Sequence, residues 1–131
     1  MVLVSEPTNP GTGTYGYVVY EGEEKLAEEA GLAGYSVTNN YAEYTALVEV
    51  LSKLKTLDRE RDEVVVRSDS QLLVGQMSKG WAAKGGGYLE KLKRARDLLK
   101  DFDTVSFEWI PRAKNQEADL LSRLAYEKHK R

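Results

Sequence analysis

Apolar residues recur along this 131-residue chain with two different periods, and the change of period near Asn40 divides it. Residues 2–4, Val-Leu-Val, form a short apolar run of the kind a strand buried on both faces carries. Residues 8–16 are dense in Gly, Pro, Thr and Asn, which predicts a turn between strands. Residues 15–20, Tyr-Gly-Tyr-Val-Val-Tyr, then read as a strand, because aromatic and β-branched side chains suit a pleated surface. Glu21-Gly-Glu-Glu24 predicts a hairpin turn, and residues 25–35 a returning strand. The Ala and Glu content there also suits a helix, but Gly31 and Gly34 would weaken one.

Beyond Asn40 the steps lengthen to three and four residues. Tyr44, Leu47, Leu51, Leu54 and Leu57 make one face of an amphipathic helix, with Thr38, Asn39 and Asn40 as cap candidates. Residues 63–67 are a compact β-branched strand, and Ser68-Asp69-Ser70 an N-cap cluster. The helix that follows carries Leu72, Leu73, Gln76 and Met77. Residues 79–87 read as a glycine-rich loop, 88–100 as a helix, 105–110 as a strand, and 115–128 as a terminal helix with Leu120, Leu121, Leu124 and Ala125. The order β-β-β-α-β-α-α-β-α predicts an α/β fold. Its one mixed sheet is antiparallel at one edge and covered by helices. No repeat or linker interrupts it, so residues 1–131 are expected to be a single domain.

Composition narrows the chemistry. The chain is 41% hydrophobic and 31% charged, with net charge −2, no cysteine and one histidine, His129. Thiolate zinc sites, disulfides, iron–sulfur clusters and thiol nucleophiles are excluded, as is a mid-chain histidine base. Carboxylates, amides, hydroxyls and lysines remain. The amino terminus lacks a basic start and a long apolar core, and no stretch approaches the roughly 18 apolar residues of a spanning helix. A cytoplasmic protein with no membrane partner is expected.

Three carboxylates stand out by position. Glu43 lies early in the first helix, Asp69 where a buried strand meets a helix, and Asp119 in the first turns of the last helix. Strand-to-helix junctions deliver side chains to the carboxyl edge of an α/β sheet, where ligands gather. Converging there, three carboxylates would suit Mg²⁺ or Mn²⁺, which prefer oxygen ligands. Each also has a plainer reading, as an N-cap or a partner of the helix dipole.

The wording around them carries a resemblance. TNNYAEYTAL at 38–47, RSDSQLLVGQM at 67–77 and WIPRAKNQEADLLSRLA at 109–125, together with NPG at 9–11, resemble the blocks of type 1 ribonuclease H. The form is the short archaeal-like one, and the blocks stand in family order over nearly the whole chain. The resemblance implies a five-stranded mixed sheet, a three-strand antiparallel meander plus parallel strands, flanked by helices. It also implies a hydrolase that cuts the RNA strand of RNA–DNA hybrids with two metal ions, Mg²⁺ or Mn²⁺. Glu43, Asp69 and Asp119 match three of the family's four catalytic, metal-binding carboxylates. Asn9, Thr38, Asn39 and Gln71 match substrate contacts.

The chain departs from the family at the fourth carboxylate. Val2, followed by Leu3, stands where an aspartate ends the family's first strand, so the resemblance implies impaired activity. Glu6 is the single acid before Asn9. The family's mobile histidine has no counterpart near Arg112-Ala113-Lys114, whose charges are expected near the scissile phosphate. Seven basic residues between Lys79 and Lys100 suggest a face for phosphates, whereas residues 21–29 hold five glutamates. Trp81 is expected to pack on a neighbouring helix. The chain is expected to be a monomer. The alternatives are a non-catalytic hybrid- or RNA-binding module on the same fold, and a generic α/β interaction domain whose carboxylates are only caps.

Overall fold

The computed structural model describes residues 1–5, 11–80 and 87–129. Asn9, Glu6, Trp81 and the end of the basic tail, Lys130-Arg131, lie outside the described residues. One five-stranded sheet runs in the order β3-β2-β1-β4-β5. Strand β1 (Val2–Ser5) pairs antiparallel with β2 (Gly11–Glu21), which pairs antiparallel with β3 (Glu24–Val37). On its other side β1 runs parallel to β4 (Glu63–Ser68), and β4 parallel to β5 (Thr104–Trp109). The helices are α1 (Asn39–Thr56), α2 (Gln71–Ser78), α3 (Leu89–Leu99) and α4 (Gln116–His129), with a short 3₁₀ turn at Arg112–Lys114 before α4. Among the described residues no helix is long and apolar enough to cross a membrane.

The period-2 alternation of β1 assigns its side chains to two cores. Val2 and Val4 join Tyr17, Val19, Val64 and Val66 beneath α1 and α3, which contribute Leu47, Leu51, Leu92 and Leu98. Leu3 faces the other way and packs with Val18 and Ala118, under α4. The central strand is therefore buried on both faces, as its unbroken apolar run predicts. Val2 sits opposite Val19 and Val66, and Val4 opposite Ser68, the last residue of β4.

Three sequence expectations change. The turn expected over 8–16 is strand from Gly11 onward, and register shifts between Gly11 and Thr12 and between Gly13 and Thr14 absorb the glycines as bulges. Ser70, not Asp69, caps α2, its side chain accepting from the Leu73 N–H at 3.2 Å. In α4, Leu120 and Leu124 are 58% exposed, while Ala118, Ser122 and Ala125 face inward. The reason is close packing on β2. A Cβ on Gly16 would lie 2.6 Å from the Ala118 carbonyl and 2.8 Å from the Ser122 nitrogen, so only small residues fit beneath the helix. Thr14 Oγ1 donates to the Ser122 carbonyl at 2.9 Å and locks the contact.

Candidate active site at the carboxyl edge of the sheet

Strand β4 ends at Ser68, which is fully buried and ties two elements together. Its Oγ donates to Glu43 Oε1 on α1 at 2.7 Å and accepts from the Ser70 N–H at 3.0 Å. Glu43 is only 1% exposed and lies past the first turn of α1, so it is neither a cap nor a dipole partner. Burial pushes its carboxyl up to about 8, and the neighbouring Asp69 charge pushes the same way. The Ser68 hydrogen bond and the Arg112 charge oppose that shift only in part.

Asp69 follows directly, just beyond the strand. Its backbone carbonyl accepts from the Trp109 indole N–H at 3.2 Å, and parallel pairing with β5 holds Trp109 beside Ser68. Burial raises its pKa against the pull of Arg112, with Asp119 adding a repulsive charge. Because Ser70 does the capping, the Asp69 carboxylate is spared for other work. Asp119 comes from the first turn of α4, its N–H bonded to the Asn115 carbonyl at 3.0 Å. Arg123 Nε meets Asp119 Oδ2 at 2.8 Å. Arg112 spans two carboxylates, with Nε 3.0 Å from Asp69 Oδ2 and Nη1 3.9 Å from Asp119 Oδ1.

The structure thus joins Glu43 to Asp69 through Ser68, and Asp69 to Asp119 through Arg112. Among the described residues, no three acidic, histidine or cysteine side chains surround one point that could hold a metal ion. The guanidinium supplies the positive charge between the two aspartates. The donor chemistry nevertheless suits a hard cation. Two oxygens, Glu43 Oε2 and Asn115 Oδ1, are buried with no hydrogen-bond partner, and the buried Asp69 Oδ2 faces the Arg112 guanidinium. Carboxylate and amide oxygens accept, and buried acceptors are ordinarily satisfied by protein, water or an ion.

The remaining candidates lie on the surface. Thr38 and Asn39 are exposed at the start of α1, and Thr38 caps it, its Oγ1 accepting from the Tyr41 N–H at 3.2 Å. Gln71 is exposed as the first residue of α2. On α3, Lys93, Arg94 and Arg96 face solvent, and Lys91 lies 5.6 Å from the Tyr41 ring centre. Sequence reasoning missed Asn115, completely buried at the end of the 3₁₀ turn. Its one signal is its place four residues before Asp119, where an asparagine reads as an ordinary helix start.

Known proteins share this architecture. A family model described as Reverse transcriptase-like matches residues 7–125. The chain is 37% identical over 114 residues to "Ribonuclease HI" of Halobacterium salinarum, covering 87% of this chain and 56% of that protein. It is 35% identical to "Ribonuclease HI" of Synechocystis sp., over 89% of this chain and 78% of that one. The solved structure of LC11-RNase H1 in complex with RNA/DNA hybrid superposes with a TM-score of 0.85 at 34% identity, over 97% of this chain and 94% of that one. Against the halobacterial relative the chain spans little more than half the length.

Proposed function

The chain belongs to the ribonuclease H family, within the Reverse transcriptase-like group, and from that premise we propose that it hydrolyses the RNA strand of RNA–DNA hybrids. The observation that carries this reading is the buried carboxylate edge. Glu43 and Asp69 are placed by helix α1 and strand β4; Glu43 keeps an oxygen with no donor, and the buried oxygen of Asp69 is met by the partly exposed Arg112. In this reading Glu43, Asp69 and Asp119 hold Mg²⁺ or Mn²⁺. Bound there, a pair of such ions would supply a nucleophile at neutral pH and neutralise charge on the phosphate.

The chain's own residues do the rest. Ser68 orients Glu43, and the Trp109 indole pins the Asp69 backbone. Arg112, 42% exposed and paired with Asp69 and Asp119, places a positive charge at the edge where a phosphate would enter. Thr38, Asn39 and Gln71, exposed beside the site, suit contact with sugar and phosphate, the features by which a hybrid duplex is recognised; Asn9 joins them in the proposal. The cationic side of α3 offers further phosphate contacts, whose strength falls with salt. The proposal takes residues 1–131 as one domain, a monomer working in the cytoplasm.

A non-catalytic hybrid-binding module remains the second reading, because β1, with the sequence Val-Leu-Val-Ser, contains no acid. One assay separates the two. Labelled hybrid incubated with Mg²⁺ and then Mn²⁺ is expected to be cut in the RNA strand, and Asp69→Asn to abolish cutting while retaining hybrid binding. Binding by both proteins with cutting by neither supports the module. No hybrid binding at low salt overturns both readings.

A further inference from the structure

We propose that Asn115 supplies a neutral oxygen ligand, through Oδ1, to the cation held by Glu43 and Asp69. This rests on the metal-dependent reading above. Asn115 is completely buried between the 3₁₀ turn and α4. Its Nδ2 donates to the Val4 carbonyl at 2.7 Å. A carbonyl only accepts, so the nitrogen must be the atom facing β1, and Oδ1 is fixed on the other branch of the same rigid amide. That oxygen is buried without a donor.

The placement connects it to the carboxylates. Val4 is the β1 residue opposite Ser68, whose hydroxyl holds Glu43 and whose neighbour is Asp69. One turn into α4, Asp119 bonds back to the Asn115 carbonyl at 3.0 Å. The amide is therefore anchored on the strand that brings no acid, with its backbone tied to the third carboxylate. Glu43 Oε2 and Asn115 Oδ1 are both buried oxygens without a donor, and Asp69 Oδ2 is balanced by the Arg112 guanidinium that a cation would replace. Hard divalent cations accept carboxylate and amide oxygens together, and the charge count of the ligands tunes their affinity. A neutral amide in the set gives a site of lower charge than four acids, and an aspartate at 115 would add one charge.

The test uses the full chain and Mn²⁺ alone, without nucleic acid, followed by the spin-resonance signal of the free ion. Wild type is expected to bind Mn²⁺. Asn115→Ala is expected to bind it at least tenfold more weakly. Asn115→Asp is expected to bind at least as tightly as wild type, although it loses the bond to Val4. Equal affinity of wild type and Asn115→Ala overturns the inference and leaves the proposed function standing, as does a folded Asn115→Asp as weak as Asn115→Ala. Wild type that binds no Mn²⁺, with or without hybrid, overturns the proposed function itself. Should either variant fail to fold, wild-type crystals grown with Mn²⁺ decide. Anomalous scattering is expected to place the ion about 2.0–2.5 Å from Asn115 Oδ1; an ion on Glu43 and Asp69 with Oδ1 out of reach refutes the assignment.

Discussion

Helices α1 and α4 each bring one carboxylate to the same edge of the sheet, and they do so under opposite conditions. In α1 the run from Ala42 to Val48 is buried without a break, and Glu43 sits inside it. A carboxylate so placed is rigid and short of positive charge, with one serine hydroxyl for a donor. In α4 the inward face is Ala118, Ser122 and Ala125, two leucines stand in water, and Asp119 is shared between Arg112 and Arg123. Its charge is already compensated, by side chains that can move. The two acids of the proposed site therefore differ in kind: α1 fixes a sealed carboxyl whose ionisation burial opposes, and α4 carries an acid whose charge two arginines already balance.

The contrast breaks most visibly at Glu43. Its folded-state pKa, raised from 4.5 to about 8, means that burial favours the protonated acid. That contribution to stability is fully present below about pH 4.5 and is lost as the pH rises through about 8. Glu43→Gln is therefore expected to abolish cleavage yet to stabilise chelator-treated protein near neutral pH, by on the order of 1–3 kcal/mol. Urea unfolding of both proteins from pH 5 to pH 8 checks this. Parallel pH curves would mean that Glu43 is ionised and satisfied, and the sealed-carboxyl reading would fall.

The second test displaces α4 while sparing α1. Gly16→Ala forces a Cβ against the backbone at Ala118 and Ser122, which cannot yield unless the helix moves. A loss on the order of 1–3 kcal/mol is expected, with a fall in cleavage that exceeds any fall in hybrid affinity. If activity is unchanged at a temperature where the variant is folded, the exact seat of Asp119 does not matter. The smallest effect is expected at Arg112. Without its charge between Asp69 and Asp119, Arg112→Ala should bind Mn²⁺ about three- to tenfold more tightly in the absence of nucleic acid, as removing a partly exposed ion pair allows. Titration with the metal alone reads it, and weaker binding would show that Arg112 organises the acids instead of competing for them.

Much of the fold was legible because strands and helices here follow their periods closely. The apolar run of β1, the β-branched β4 and the three- and four-residue steps of α1 each map onto the observed element. The leucines of α4 misled for a physical reason. Periodicity reports that a helix has an apolar side, but how near the sheet it sits decides which residues fit there, and at Gly16 the gap admits only small ones. Of the proposed site, the acids at 43, 69 and 119 could be picked out through the wording around them, and Asn115 could not, since nothing local separates a buried asparagine from a helix cap.

By itself, the sequence determined the order of elements, the absence of thiol and mid-chain histidine chemistry, and which carboxylates stand at strand and helix ends, because these depend on residues a few positions apart. The tertiary structure alone decided that Glu43 is sealed, that Arg112 lies between two aspartates and that Asn115 turns a bare oxygen inward. Burial and charge compensation are set by contacts such as Ser68 with Glu43 and Asn115 with Val4, and these come from segments far apart in the chain that only folding brings together.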